Sequence, residues 1–143
     1  MAKKLDINSL IKAYASFSNA LKTADVCESK YLEEIFYLEE FVRAAIIHHF
    51  EYTYELSWKM MKKYIEIEEG KLESFSNKSL LRKAEELGLI DDFHKWREFH
   101  VARNLTSHAY DEETAKKVYV VAKEFDVYVK NLISSLKDKI NDF

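Results

Sequence analysis

The sequence predicts an all-α fold, an antiparallel up-and-down bundle of four main helices plus one short helix. The chain has 143 residues with no proline and two glycines, so the residues that most often form β turns are nearly absent. Apolar residues instead recur every three or four positions over long stretches, which is the spacing of one helix face. Short turns between such helices favour antiparallel packing.

Apolar spacing places two long helices in the first half of the chain. The first is predicted from about Asp6 to Cys27, and the second from Leu38 to Glu69, where Gly70 ends it. The predicted apolar stripes are Leu10, Tyr14, Phe17, Leu21 and Ala24 in the first helix, and Ile47, Phe50, Tyr54, Met61 and Ile65 in the second. Residues 28–37 are rich in glutamate and aromatic residues and could extend either helix.

Capping residues and apolar spacing predict three further helices. Ser76 caps a short third helix that stops at Gly88, and Asp91 or Asp92 caps a fourth helix that runs to about Leu105. A fifth helix fills the rest of the chain after a connecting turn. Its predicted stripe is Val118, Ala122, Phe125, Val129, Leu132, Leu136 and Ile140.

Composition indicates one soluble domain that spans residues 1–143. Apolar residues make up 48% of the chain and charged residues 33%, which favours a folded core over disorder or membrane insertion. Charged residues occur before an apolar segment could form a signal peptide, so a cytoplasmic location is expected. The single cysteine, Cys27, has no partner for an internal disulfide and is interpreted as a packing residue.

The charge balance restricts the possible partners. A formal net charge of −3 does not fit a protein that binds duplex DNA through a broad basic face. Single-stranded RNA remains possible at a local patch that includes Arg97 and Arg103. The sequence lacks a glycine-rich phosphate loop and strand-borne carboxylates for two metal ions, so nucleotidyl transfer would require another polypeptide. No cofactor or metal ion is expected.

The segment of residues 103–110 holds the side chains best suited to chemistry on a phosphodiester. Arginine can bind a phosphate bidentately, and histidine can take or give a proton near neutral pH. Residues five apart lie roughly 140° around a continuous helix, so Arg103 and His108 converge only if the helix breaks between them. Asp111 reads as the N-cap of the fifth helix, which leaves residues 106–110 as the connecting turn.

This segment resembles the motif of the HEPN superfamily, which is Arg, a polar residue, three variable residues and His. Arg103, Asn104 and His108 fill the pattern, and Tyr110 extends it. Nearly the whole chain is similar to the superfamily's branch of nucleotidyltransferase substrate-binding proteins, because residues 50–59 also look like that branch's signature. The resemblance implies that the Arg and His lie in a cleft at a homodimer interface, with Asn104 orienting the pair or the phosphate.

The resemblance leaves two functions open. The leading one is the nucleotide- or substrate-binding subunit of a two-component system of toxin–antitoxin type, with a separate small nucleotidyltransferase. The alternative is a metal-independent ribonuclease toxin, in which Arg103 stabilises the charged transition state and His108 is the general base or acid. A purely structural helical dimer is the third possibility.

Tyr110 has two interpretations. As the residue before the N-cap, it could pack on the fifth helix as a hydrophobic staple. In some gene pairs of the superfamily, the nucleotidyltransferase adds AMP to the tyrosine two residues after the motif histidine. The resemblance therefore implies that Tyr110 is a modification site whose added charge and bulk would silence the protein.

Polar residues on the second helix are predicted to line the same site. Glu51 and Glu55 lie on one side of that helix and could hold Arg103 or a ribose, or simply form salt bridges with Lys59 or Arg103. His48 shares this side, so a metal site is conceivable. A di-metal bundle would need matching Glu and His motifs on other helices, and the sequence has none.

The fourth helix is predicted to supply the other polar wall. Its polar residues are spaced three, three and one positions apart: Arg97, His100, Arg103 and Asn104. These side chains could bind a nucleotide together, or form a solvated face. Aromatic residues beyond those that a single bundle needs, such as Phe36, Tyr37 and Phe41, predict a homodimer.

Overall fold

A computed structural model describes residues 5–30 and 38–141. The helices are α1 (Asn8–Lys30), α2 (Leu38–Glu69), α3 (Asn77–Glu86), α4 (Phe93–Leu105) and α5 (Glu112–Asn141), with a 3₁₀ turn at Thr106–His108. These two ranges contain no β-strand, and the predicted all-α helical bundle is confirmed. None of the helices described is both long and apolar enough to cross a membrane.

The first helix differs from its predicted bounds at both ends. Oδ1 of Asp6 accepts a hydrogen bond from the backbone N–H of Asn8 at 2.9 Å, so Asp6 precedes the helix. Residues 28–30 continue α1 up to Lys30. The rest of the ambiguous segment, residues 31–37, lies outside the described residues, and so do Phe36 and Tyr37.

Side-chain caps set the starts of α3 and α4. Ser76 and Ser79 form a capping box, in which the N–H of Ser79 donates to the Ser76 hydroxyl at 3.1 Å and the reciprocal bond is 3.0 Å. Gly88, with φ +78°, follows α3 in the left-handed conformation that ends it. Asp92, and not Asp91, caps α4 by accepting from the N–H of Lys95 at 3.0 Å.

Aromatic rings from four helices meet in the core at Phe125 of α5. Its ring centroid lies 6.0 Å from Phe17, 5.3 Å from Phe50, 5.4 Å from Trp96 and 4.9 Å from Phe99. All five side chains are at most 1% exposed. This packing fixes α4 against α2 and α5, and therefore positions the polar side chains that α4 carries.

The predicted apolar stripes face this core. Every predicted residue of the α2 stripe is buried. Tyr14 and Leu21 in α1 and Ile140 in α5 are only partly buried, and the other predicted stripe residues of these helices are buried. The three-and-four spacing therefore identified the buried faces of the long helices correctly.

Candidate functional site

Arg103, in the last turn of α4, forms ion pairs with α2. Its Nε atom lies 2.5 Å from Oε1 of Glu55, and its Nη2 atom lies 4.0 Å from Oε1 of Glu51. Nε is buried, but its N–H does not point along the line to Glu55, so this contact is an ion pair and not an aligned hydrogen bond. The structure thus brings Arg103 to the two glutamates that the sequence pattern places beside it.

Glu55 is held at both carboxylate oxygens. Nε1 of Trp58 donates a hydrogen bond to Oε2 of Glu55 at 3.1 Å, while Oε1 faces Arg103. The indole of Trp58 also packs against Phe75, with ring centroids 6.1 Å apart. Because Trp58 fixes the carboxylate, Glu55 can orient the guanidinium of Arg103.

A chain of hydrogen bonds joins α4 to α2 through the first residue of α3. Nη1 of Arg97 donates to Oδ1 of Asn77 at 2.6 Å, and Nδ2 of Asn77 donates to the hydroxyl of Tyr54 at 3.3 Å. The Tyr54 hydroxyl lies 2.9 Å from Nδ1 of His100. Tyr54 is fully buried, whereas Arg97 and His100 are half-buried.

The environment sets the protonation states of Tyr54 and His100. Burial lowers the pKa of His100 below its ordinary value of 6.5, and the charges of Arg97 and Arg103 lower it further, while Glu55 opposes them. Burial raises the pKa of Tyr54 well above its ordinary value of 10.0, partly offset by the hydrogen bond from Asn77. His100 is therefore neutral and Tyr54 is protonated at neutral pH.

We call this group of seven side chains from α2, α3 and α4 the polar cluster. Its members are Glu51, Tyr54, Glu55, Asn77, Arg97, His100 and Arg103. The sequence interpretation placed Tyr54 among the apolar residues and did not single out Asn77. A tyrosine in a buried stripe signals that its hydroxyl needs a polar partner. No sequence signal marks Asn77, because tertiary packing alone brings it to Tyr54.

The helix breaks after Leu105, as the motif requires. The Thr106 hydroxyl donates to the carbonyl of Arg103 at 2.7 Å, and the Ser107 hydroxyl donates to the carbonyl of Asn104 at 3.2 Å. Both hydroxyls thus add side-chain hydrogen bonds to carbonyls in the last turn of α4, where the Arg103 carbonyl also accepts from the backbone N–H of Thr106. The chain then continues as the 3₁₀ turn, so residues 106–110 form the predicted connection. We call these residues the motif turn.

The start of α5 anchors the other end of the motif turn. Oδ2 of Asp111 accepts hydrogen bonds from the backbone N–H and the hydroxyl of Thr114, at 3.0 and 2.9 Å. The first of these bonds is the main reason that the pKa of Asp111 lies below its ordinary value of 3.8. Asp111 is thus the predicted N-cap. Nearby, the buried Arg43 of α2 lies 3.9 Å from Glu112 and ties this helix start to the bundle.

His108, Tyr110 and Asn104 are exposed. The rings of His108 and Tyr110 meet edge to face, with centroids 6.3 Å apart. Tyr110 is 87% exposed, so the interpretation as a packed hydrophobic staple is wrong. Within the described part of the chain, His108 forms no hydrogen bond or ion pair with Arg103, although both belong to the end of α4 and the turn after it.

The side of α2 considered for a metal ion is occupied by other contacts. Glu55 pairs with Arg103, and the ring of His48 packs near His49 and Tyr52, at centroid distances of 6.2 and 5.9 Å. Across residues 5–30 and 38–141, no three His, Cys, Asp or Glu side chains come together in a group that could hold a metal ion.

Two surface grooves lie away from the polar cluster. An apolar groove of about 210 Å³ lies between α1 and α2, and a groove of about 200 Å³ lies between the α3–α4 connection and α5. Neither is lined by a residue of the polar cluster. The chemistry of the motif therefore lies outside these two grooves, and the charged donors of Arg97 and Arg103 are better suited to a phosphate than either groove lining.

The helical bundle and the Arg103 and His108 pair at the α4–α5 connection define a HEPN-type helical protein. The sequence profile of the family described as "Nucleotidyltransferase substrate binding protein like" matches residues 5–138. The chain belongs to this family.

Relatives with names or solved structures cover almost the whole chain. A protein of Haemophilus influenzae named "Probable ribonuclease HepT" is 31% identical over 97% of each chain. A solved structure from Haemophilus influenzae, described as revealing the fold of a substrate binding domain of a nucleotidyltransferase, is 30% identical with a TM-score of 0.85. It matches over 92% of this chain and 99% of its own. A crystal structure from Thermus thermophilus is 28% identical with a TM-score of 0.69, over 89% and 98% of the two chains.

Proposed function

We propose that this protein is the nucleotide- or substrate-binding subunit of a two-component nucleotidyltransferase system of toxin–antitoxin type. The observation that carries the proposal is the placement of Arg103, held by Glu55 beside His100, at a surface where its side chain is still 29% exposed. An arginine that is oriented yet accessible can bind a phosphate without first losing much side-chain freedom.

The polar cluster fits the recognition of a nucleotide better than that of a neutral ligand. Arg97 and Arg103 carry only hydrogen-bond donors, and both lie on the side of α4 that faces α2 and α3. Glu51 is half-exposed and lies farther from Arg103 than Glu55 does, so it is free to accept hydrogen bonds from a ribose. Phosphate on the arginines and ribose on Glu51 would together orient a mononucleotide or the end of a single-stranded RNA.

The transfer chemistry belongs to a separate small nucleotidyltransferase that binds this chain. The family description and the description of the Haemophilus influenzae structure support this partner. We assign the motif turn as the surface that contacts this nucleotidyltransferase, because its Tyr110 is exposed and the turn directly follows the end of α4, which carries Arg103.

We also propose that the protein acts as a homodimer in which the motif turns face each other. Val101 and Leu105 flank Arg103 in α4 and are 50% and 38% exposed, although both are apolar. Phe41 is 74% exposed in α2, next to residues 31–37 in the sequence. A second subunit placed over Val101 and Leu105 would bury these side chains.

The binding function is tested by titrating the purified protein with ATP in a calorimeter. Arg103→Ala should weaken ATP binding by about tenfold or more, because a charge-assisted hydrogen bond is worth about 1.5–3 kcal/mol. Arg82→Ala is the matched control, since Arg82 is an exposed arginine of α3 that lies over the ring of Phe93. Equal ATP affinity in wild type and Arg103→Ala would contradict the proposal.

The assembly is tested separately by sedimentation. The wild type should sediment at twice the chain mass of 16.9 kDa, and Val101→Asp should shift it toward the monomer. Val127→Asp, at a position of α5 that is 55% exposed, makes the same substitution elsewhere and controls for the added charge. If the protein is a monomer at every concentration, the proposed homodimer and any site formed by two chains are excluded.

Ribonuclease activity is the second candidate function, and two observations favour it. The Haemophilus influenzae relative is named a probable ribonuclease, and the exposed imidazole of His108 can reach solvent and substrate. In that mechanism, His108 would remove the proton from a ribose 2′-hydroxyl, whose oxygen attacks the adjacent phosphorus. The bond from phosphorus to the 5′-oxygen of the next nucleotide breaks, and this oxygen takes a proton from water, which leaves a 2′,3′-cyclic phosphate and a 5′-hydroxyl. Arg103 would stabilise the negative charge that develops on the phosphate, and Asn104 would orient the pair.

A further inference from the structure

In the hydrogen-bond chain that ends at His100, the donor and the acceptor of each bond can be assigned from one end. Arg97 carries donors and no acceptor, so the atom of Asn77 that faces it at 2.6 Å must be the amide oxygen. The amide nitrogen of Asn77 therefore faces Tyr54 and donates to its hydroxyl oxygen at 3.3 Å. The Tyr54 hydroxyl has a single hydrogen. Its oxygen lies 2.9 Å from Nδ1 of His100.

This direction fixes the tautomer of the imidazole. If Nδ1–H donated to the Tyr54 oxygen alongside Asn77, the hydroxyl hydrogen of the fully buried Tyr54 would have no acceptor. The arrangement that satisfies every group therefore directs this hydrogen to Nδ1 of His100. The ring proton of His100 is then on Nε2. In the described residues, Nε2 has no hydrogen-bond partner, and it is not among the fully buried polar atoms that lack one, so it keeps some solvent exposure.

Protonation of Nδ1 of His100 would break this chain of hydrogen bonds. The Tyr54 hydroxyl would have to turn its hydrogen away, although its remaining neighbour, the amide nitrogen of Asn77, is itself a donor. The imidazolium would also face Arg97 and Arg103 of α4, with Glu55 of α2 as the one carboxylate that favours it. Geometry and charge thus both keep His100 neutral.

We propose that Asn77 and Tyr54 are positioning residues that hold His100 as the neutral Nε2–H tautomer, and that Nε2–H donates a hydrogen bond to a phosphate oxygen of the bound nucleotide. The step toward the nucleotide rests on the proposed binding function at Arg103. His100 precedes Arg103 by three residues, so both side chains lie on the same side of α4 and can reach one phosphate.

The tautomer is measured by long-range ¹H–¹⁵N NMR of protein labelled with ¹⁵N-histidine. The chain has five histidines, and His100→Gln identifies the signal of His100 by its loss. The wild type should show the Nε2–H form. Asn77→Asp should reverse the direction of these hydrogen bonds, because a carboxylate can only accept from the Tyr54 hydroxyl. Nδ1–H of His100 must then donate to the tyrosine oxygen. This variant should fold, since the introduced carboxylate would pair with Arg97 at the first turn of α3.

Nucleotide binding is measured with ATP on the same variants. Tyr54→Phe removes the hydroxyl without changing the charge. It should give a mixture of tautomers and weaken ATP binding about 2- to 3-fold, in proportion to the fraction of His100 that leaves the Nε2–H form. Tyr128→Phe, in α5, is the matched control and should change neither result. Asn131→Asp, also in α5, controls for the added charge of Asn77→Asp.

The outcomes separate this inference from the proposed function. A wild-type His100 in the Nδ1–H form, or an unchanged tautomer in Asn77→Asp, would overturn the inference. A correct tautomer with equal ATP affinity in Tyr54→Phe and wild type would overturn the step from His100 to the phosphate. If wild type and Arg103→Ala bind no ATP at all, the proposed function fails and the phosphate step fails with it. The NMR result then decides the positioning role of Asn77 and Tyr54 by itself.

Discussion

Oε1 of Glu55 lies 2.5 Å from Nε of Arg103, so a carboxylate holds the arginine that we propose binds a phosphate. The same carboxylate is anchored by the indole of Trp58 through its other oxygen. Such an anchor orients the guanidinium, but its negative charge also competes with an anionic ligand. Glu51 adds a second negative charge at 4.0 Å without any such anchor. The two glutamates should therefore have opposite effects on the binding of a nucleotide phosphate.

Glu51→Gln and Glu55→Gln distinguish orientation from competition. Glu51→Gln should strengthen the binding of inorganic phosphate about 2- to 5-fold, because it removes a repulsive charge and leaves Arg103 in place. Glu55→Gln should weaken the binding of phosphate and ATP, because Arg103 loses its partner. Calorimetric titrations give both affinities, and circular dichroism checks the fold. Stronger phosphate binding in both variants would show that Glu55 competes with the ligand and does not orient Arg103.

His108→Ala tests the ribonuclease alternative. If the protein cleaves RNA, the variant should lose about 10²–10⁴-fold in rate, since general acid–base catalysis contributes this much. His108 is an exposed turn residue, so the substitution should leave the thermal unfolding midpoint nearly unchanged. The assay follows cleavage of one single-stranded RNA with EDTA present, and His94→Ala, at an exposed position of α4, is the control. Failure of the wild type to cleave would exclude the ribonuclease.

Tyr110 should be the acceptor if the partner nucleotidyltransferase modifies this chain. It is 87% exposed, whereas Tyr52, the other tyrosine with an exposed side chain among the described residues, is 36% exposed. Incubation with the partner and ATP should increase the intact mass by one or more AMP groups in wild type and Tyr52→Phe, but not in Tyr110→Phe. Mass spectrometry decides the result. Modification of Tyr110→Phe would place the acceptor elsewhere.

A modified Tyr110 should also bind nucleotide or RNA less well. Its phosphate would lie two residues from His108 and would repel the phosphate of a ligand at Arg103. Fluorescence anisotropy with a labelled single-stranded RNA compares the modified and unmodified proteins. Equal affinities would mean that the modification does not act through the polar cluster.

Because of His100, the free energy of unfolding should decrease as the pH falls below 6.5, the ordinary pKa of histidine. The folded-state pKa is lower than this value, so in the interval between the two the unfolded chain binds a proton that the folded chain does not. The contribution of His100 to the free energy of unfolding is therefore complete above 6.5 and is lost as the pH falls toward the folded-state value. Urea unfolding midpoints at about pH 7.5 and about pH 5.5 measure the loss.

The loss of stability at low pH should be smaller in His100→Gln than in wild type. It should not vanish, because burial and the neighbouring His48 also lower the pKa of His49. His94→Gln is the control and should retain the wild-type pH dependence. An equal loss in His100→Gln and wild type would show that the Tyr54 hydroxyl and the two arginines do not keep His100 neutral.

The sequence by itself determined the helical class, the buried faces and most helix ends. Phe125 could be assigned to the core because the spacing of apolar residues repeats the geometry of one helix. Ser76, Gly88 and Asp111 marked helix ends because their side chains or backbone freedom act on residues close in sequence. The Arg103 and His108 motif was also visible in the sequence, since its two residues lie within one short segment.

Only the tertiary structure decided which distant residues complete the site. Tyr54 reads as one more apolar residue of α2, and its hydroxyl became part of the polar cluster because α4 packs beside it with His100 at that level. Asn77 joined the cluster because α3 crosses from α2 to α4 and places its first residue between Tyr54 and Arg97. The periodicity of a helix fixes the side on which a residue lies, whereas the partner it meets depends on how the helices pack against one another.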